Sequence, residues 1–167
     1  TYPLAENRHA NGILRTSMAP FEDRDLEKQA CDYHSRLVEH LDYVGVLSLE
    51  LFVVGEKLMA NEFAPRVHNS GHWSIEGAAT SQFENHLRAV LDLPLGDTKV
   101  TGYSVMVNLI GTMPADLDVL RDAGCHVHDY GKRPRPGRKL GHITSVASNQ
   151  EACRRAQQML EAAIRPD

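Results

Sequence analysis

The sequence predicts an α+β fold in which antiparallel hairpins with packed helices precede a small, β-rich carboxy-terminal module. Three observations carry that expectation. Ala10-Asn11-Gly12 and Gly55-Glu56-Lys57 are turn signals flanked by apolar, strand-forming residues. Between Asp23 and Leu41 the apolar period changes from two to that of a helix. After Pro94 the composition shifts, and short apolar strands alternate with short helical stretches.

The elements follow in order. Residues 1 to 19 alternate around Asn11-Gly12, with Ile13, Leu14 and Thr16 supplying strand propensity. Leu26, Ala30, Tyr33, Leu37 and Leu41 make one face of an amphipathic helix. Val44 to Val54 and Leu58 to Phe63 form a second hairpin, and Ala64 to Gly77 is an aperiodic loop of the kind that often carries function. Ser81 and Glu84 have capping-box spacing and open a helix to about Leu93, stopped by Pro94. Residues 1–95 are one unit on this reading. A second unit, 96–167, follows with a strand at Ser104–Ile110, a helix at Ala115–Asp122, a strand at Cys125–Tyr130, a basic loop, a strand at Lys139–Ala147 and a last helix through Ile164.

Composition excludes several classes of function. With 167 residues, 42% of them hydrophobic, the chain buries roughly 70% of its unfolded surface without disulfides. Cys31, Cys125 and Cys153 are odd in number and lack zinc spacing, so a reducing, cytoplasmic setting is expected. No apolar run approaches the ~20 residues of a membrane span, and Thr1 opens without a secretory leader pattern. Thr1-Tyr2-Pro3-Leu4 reads instead as a chain already in progress. A net charge of −4 argues against nucleic acid, yet Lys132, Arg133, Arg135, Arg138 and Lys139 cluster as a local anion site or a solvated loop.

Register gives the sharpest chemical expectation. With Gly55-Glu56-Lys57 as the loop, Val54 faces Leu58, Val53 faces Met59, Phe52 faces Ala60 and Glu50 faces Glu62. Two carboxylates paired across a partly apolar sheet repel unless a cation neutralises them, and oxygen ligands of this kind suit magnesium. A loop of another length would instead turn each carboxylate to solvent. Arg66, His68 and Asn69 lie on the loop that leaves the same strand, offering a guanidinium fork for a carboxylate or bicarbonate and two groups to orient it. His68 and His72 are four apart, but Gly71 leaves no helix to align them on zinc. Cys125-His126-Val127-His128 alternates as a strand, which favours a structural role. The apolar residues of the second hairpin, Leu47, Leu49, Leu51 and Val53 on one side and Val46 and Phe52 on the other, predict an exposed apolar face and self-association.

The run Asn61-Glu62-Phe63-Ala64-Pro65-Arg66-Val67-His68-Asn69-Ser70-Gly71-His72-Trp73, continued by Ser81-Gln82-Phe83-Glu84-Asn85-His86, closely resembles the 5-(carboxyamino)imidazole ribonucleotide synthase family, the ATPase subunits of phosphoribosylaminoimidazole carboxylase, within the ATP-grasp superfamily. Tyr2-Pro3-Leu4-Ala5-Glu6-Asn7 and Arg135-Pro136-Gly137-Arg138-Lys139-Leu140-Gly141-His142 match as well. The resemblance implies the carboxy-terminal half of an ATP-grasp domain over 1–95 and a small module over 96–167. It implies an ATP-dependent ligase of purine biosynthesis that carboxylates aminoimidazole ribonucleotide with bicarbonate through carboxyphosphate. In that frame Glu50 and Glu62 bind Mg2+ with ATP, and His9 and Asn61, with Glu62, touch the nucleotide. Arg66, His68 and Asn69 surround bicarbonate and the amine, and Lys132 and Arg138 hold the ribonucleotide phosphate. It further implies a missing amino-terminal part of the same enzyme, an inactive isolated piece, and a homodimer when complete. Another ATP-grasp ligase and a non-catalytic interaction module stand as alternatives.

Overall fold

The computed structural model describes residues 1–164. Its strands are β1 (Glu6–Ala10), β2 (Ile13–Ala19), β3 (Ser48–Val54), β4 (Lys57–Ala64), β5 (Tyr103–Ile110), β6 (His126–Asp129) and β7 (Lys139–Ala147). Its helices are α1 (Arg24–Leu41), α2 (Ser74–Gly77), α3 (Gln82–Val90), α4 (Leu117–Asp122) and α5 (Gln150–Ala163). Five strands form an antiparallel sheet in the order β1-β2-β5-β7-β6, and β3-β4 stand apart as a two-stranded hairpin. The sheet therefore runs across the expected division at 95/96, because β2 pairs with β5 from Thr16 opposite Val107 to Ala19 opposite Ser104.

Local chemistry explains the elements. Asn11 and Gly12 both take positive φ, as a two-residue hairpin turn requires. Asp23 accepts hydrogen bonds from the amides of Asp25 and Leu26, and Asp25 and Glu27 place negative charge in the first turn of α1. Asp23→Ala should lower stability by about 1 kcal/mol, read as an earlier urea midpoint at unchanged slope. The helix expected to reach Leu93 ends at Val90, where Asp92 takes positive φ and reverses the chain ahead of Pro94. Within the loop expected at 64–77, the structure adds a 3-10 turn at Asn69–Gly71 and the single-turn α2.

The β3-β4 register differs from expectation in an instructive way. Gly55 at φ 62 permits a tighter loop, so Val54 faces Lys57, Val53 faces Leu58 and Phe52 faces Met59, each one residue off the expected partner. Asn61 is then the extra residue of a bulge, and beyond it Glu50 does face Glu62. Two deviations of one residue cancel at the carboxylates.

Both faces of the five-stranded sheet are covered. Val105, Val107, Leu109 and Ile143 pack with Leu120 of α4 and Cys153 and Leu160 of α5. On the other face Met106, Leu14 and Ala19 meet Trp73 and Ala78. Leu26 and Ala30 of α1 pack on Leu58 of the hairpin, whose register thereby fixes which side chains face the helix. The exposed large apolar residues of that hairpin are Phe52, Val53, Val54, Met59 and Phe63. Of the others expected among them, Leu47 is buried and Val46, Leu49 and Leu51 are half-buried. The three cysteines are free, and among the described residues no helix is long and apolar enough to cross a membrane.

Candidate active site

Where β3 meets the end of β4, Glu50 is buried and Glu62 is exposed, and the imidazole of His68 stands between them. His68 Nδ1 lies 3.6 Å from Glu50 Oε1, and Nε2 lies 3.5 Å from Glu62 Oε1. One ligand atom from each of the three residues falls within 4.8 Å of the others. The Ser70 amide points to His68 Nδ1 at 3.3 Å, and the Ser70 hydroxyl lies 2.8 Å from the same atom. Glu50 Oε1 has no hydrogen-bond partner, while Asn61 Nδ2 donates to Oε2 at 3.4 Å. A buried carboxylate oxygen without a donor, aimed at a second carboxylate, is a place that a cation fits.

Arg66, on the loop that leaves β4, is exposed and donates to the carbonyl of Val67 at 3.0 Å. Lys139, at the start of β7, feels the pair. Burial holds its ammonium below the ordinary lysine value, Glu50 and Glu62 pull it back up, and Lys132 opposes them. Asn69 makes a reciprocal amide pair with Asn108 of β5, at 2.6 and 3.0 Å, and Asn108 also donates to the carbonyl of Leu14. The loop is thereby tied to the centre of the five-stranded sheet.

Next to this loop lies a layer of histidines. The ring of His142 stacks on His128 with centroids 4.3 Å apart and meets His72 at 5.1 Å. His128 Nε2 is 2.7 Å from Glu76, and His142 Nδ1 is 2.7 Å from the Tyr130 hydroxyl. Burial, reinforced by His68, Lys139 and His128, lowers His72 to about 4. Burial, reinforced by His128 and His72, lowers His142 to about 3. Both rings are neutral at physiological pH.

Lys132 sits over the ring of Tyr130, 5.0 Å from its centroid, and Arg138 is exposed, its guanidinium within 3.4 Å of the Arg133 carbonyl. Their loop folds toward the sheet, since Gly111 donates to the carbonyl of Arg138 at 2.8 Å. His9 is exposed on the edge strand β1, at its bulge. An apolar cavity of about 370 Å³ lies among Tyr2, Leu4, Leu47, Leu51, Trp73 and Leu95, and it includes none of Glu50, Glu62 and His68. Its lining lacks the converging charges that phosphate chemistry needs. Sequence reasoning missed Asn108, Gln82 and His142 as parts of the site and read Lys139 only as a member of the basic run. The available signal was a polar residue inside an apolar run, as Asn108 is within Val105–Leu109 and His142 is beside Leu140 and Ile143.

Comparison with known proteins places the chain in a family. Residues 1–83 match the ATP-grasp domain family, and residues 104–156 match the phosphoribosylaminoimidazole carboxylase C-terminal domain family. The chain is 55% identical over 143 residues to the N5-carboxyaminoimidazole ribonucleotide synthase of Pseudomonas aeruginosa, an alignment that takes in 86% of the chain and 39% of the relative. It is 49% identical to that of Escherichia coli, over 89% of the chain and 42% of the relative. The crystal structure of the N5-carboxyaminoimidazole ribonucleotide synthetase from Thermus thermophilus superposes with a TM-score of 0.93 at 56% identity, covering 99% of this chain and 47% of that one. The Aspergillus clavatus synthase, in complex with ADP and 5-aminoimidazole ribonucleotide, superposes with a TM-score of 0.86 at 34% identity, over 98% and 46% of the two chains. The chain thus spans about two fifths of the length of the curated relatives it matches. By two family matches, high identity and near-coincident backbones, this chain belongs to the N5-carboxyaminoimidazole ribonucleotide synthase family of ATP-grasp proteins.

Proposed function

We propose that this chain is the carboxy-terminal part of a cytoplasmic, homodimeric ligase that uses ATP and bicarbonate to carboxylate 5-aminoimidazole ribonucleotide. Residues 1–95 act as half of its ATP-grasp domain and residues 96–167 as its small carboxy-terminal module. The amino-terminal part of the enzyme would complete the nucleotide site, and the isolated piece would be inactive. The observation that carries the reading is the buried, donorless oxygen of Glu50 opposite Glu62, with His68 between them. A magnesium ion held by Glu50 and Glu62 would supply charge stabilisation on the phosphoryl oxygens of ATP.

The residues of the chain then take distinct tasks. Glu62, the more exposed carboxylate, and Asn61, on the bulge, face incoming nucleotide, and His9 reaches it from the edge strand. His68 Nε2 stands 3.5 Å from Glu62, on the side where it can donate to a reacting oxyanion. Asn69 keeps one amide hydrogen and one oxygen lone pair beyond its pairing with Asn108, enough to orient bicarbonate or the substrate amine. Arg66 is free to swing onto bicarbonate, because its present partner is only a neighbouring carbonyl. Lys132 and Arg138 bind the ribonucleotide phosphate, and the two glycines that flank their loop, Gly131 and Gly137, take positive φ.

Phosphate release from ATP by the whole enzyme, stimulated by 5-aminoimidazole ribonucleotide and bicarbonate, tests this reading. Release indifferent to the ribonucleotide would exclude it and favour another ATP-grasp ligase. In the same assay, Arg138→Ala should raise the Michaelis constant for the ribonucleotide about tenfold or more while that for ATP stays nearly constant, since a charge-assisted phosphate contact is worth roughly 1.5 to 3 kcal/mol. Equal changes in both constants would reject the phosphate assignment.

A further inference from the structure

We propose that Gln82, on the first turn of α3, is the positioning residue that holds the His68 imidazole between Glu50 and Glu62, and so acts on the metal-nucleotide step without touching substrate. The inference rests on the reading of Glu50 and Glu62 given above. Gln82 is 3% exposed, and a buried primary amide is costly unless each of its polar atoms is matched. Here each is matched, and mostly to one residue. Oε1 accepts from the amide of His68 at 3.0 Å, and Nε2 donates to the carbonyl of His68 at 2.7 Å. The second hydrogen of Nε2 points to His72 Nδ1 at 2.9 Å. The oxygen must face the His68 N–H, so the orientation of the amide is determined by its partners.

Pairing with both the N–H and the C=O of one residue imitates a strand partner. It fixes the two peptide planes on either side of the His68 Cα and therefore the direction of its Cα–Cβ bond. The ring is then locked by Ser70, whose hydroxyl lies 2.8 Å and whose amide lies 3.3 Å from Nδ1. Direction and rotation together leave the imidazole one location, between the two carboxylates.

The surroundings are built for this clamp. The Gln82 amide donates to Ser74 Oγ at 3.0 Å, and Ser74 donates to the carbonyl of Gly71 at 2.7 Å. A Cβ on Gly71 would lie 2.6 Å from Gln82 Oε1, so the glycine provides the space through which the side chain reaches His68. Three residues of the loop thus meet one glutamine, whereas an ordinary helix-start glutamine would point to solvent. Asn85, one turn further along α3, is equally buried but bonds only to Tyr2 and Gly96, far in sequence from the loop.

That contrast supplies the experiment. Gln82→Met keeps length and loses every bond, Gln82→Glu keeps the acceptor and loses both donors, and Asn85→Ala removes a structural amide of similar burial. In the whole enzyme, Gln82→Met should lower kcat about tenfold or more and raise the apparent constant for magnesium-ATP by a similar factor, with the ribonucleotide constant within about twofold of wild type. Gln82→Glu should fall between, and Asn85→Ala should lower the melting temperature while leaving kcat and the magnesium dependence within about twofold. A structure of Gln82→Met should show the imidazole displaced from between Glu50 and Glu62. The proposal is overturned if that ring stays in place, or if Gln82→Met costs stability alone. Loss of ribonucleotide-dependent turnover in the unmutated enzyme would instead overturn the ligase reading, and the ring position would still decide the role of Gln82.

Discussion

Glu62→Gln in the whole enzyme should lower turnover by about two orders of magnitude, roughly 3 kcal/mol of transition-state stabilisation, and should weaken the response to magnesium. The substitution keeps shape and removes one charge from a site whose other carboxylate already lacks a donor. Glu56→Gln, on the turn of the same hairpin, is the control and should change neither quantity. Glu50→Gln separates function from stability. The substitution removes the charge of a buried carboxylate, one oxygen of which has no hydrogen-bond donor, and leaves the Ser70 contacts of His68 Nδ1 as they are. Turnover should therefore collapse while the melting temperature holds or rises, the pattern of a site whose charge is kept for chemistry at a cost in stability. Near-normal turnover in Glu62→Gln, or a melting temperature that falls in Glu50→Gln, would contradict the metal-site geometry.

Local signals were legible where one residue's chemistry decides the outcome. The Asn11-Gly12 turn, the Asp23 start of α1 and the Ser81 cap of α3 all lie where sequence spacing predicts. Pairing of Glu50 with Glu62 was legible too, but for a reason the sequence hid. The loop is one residue shorter than expected and Asn61 bulges out, and only the sum of the two restores the pair. A bulge has no compositional signature here, since Asn61 reads equally well as an ordinary strand residue. The long-range parts were not legible. Nothing local says that β5 adds to β2, which joins two stretches that composition separates at residue 95. Nor does any pattern say that Gln82 turns inward to His68, or that Asn69 pairs with Asn108. Those facts depend on which elements pack together, and periodicity reports only that an element has a face to bury.

Acidification should destabilise this chain from about pH 6.5 downward, before ordinary carboxylates are protonated. His72 and His142 cannot both take up charge without placing two imidazolium rings 5.1 Å apart in a buried layer beside Lys139. Folding lowers His72 to about 4 and His142 to about 3, from 6.5 in an open chain, chiefly through burial. Between those values and 6.5 the unfolded chain binds protons that the folded chain refuses. Stability from this source is therefore complete above pH 6.5 and is lost as the pH falls toward 4 and then 3, by about 1.4 kcal/mol per pH unit for each histidine. Urea titrations at half-unit intervals between pH 7 and pH 4 should show that slope. His142→Asn, which retains a polar partner for the Tyr130 hydroxyl, should remove about half of it. The slope should be matched by a His142 imidazole resonance that stays neutral at pH 5. A resonance that titrates near 6.5, or a stability profile flat down to pH 4.5, would mean that the layer accepts protons freely and opens to water.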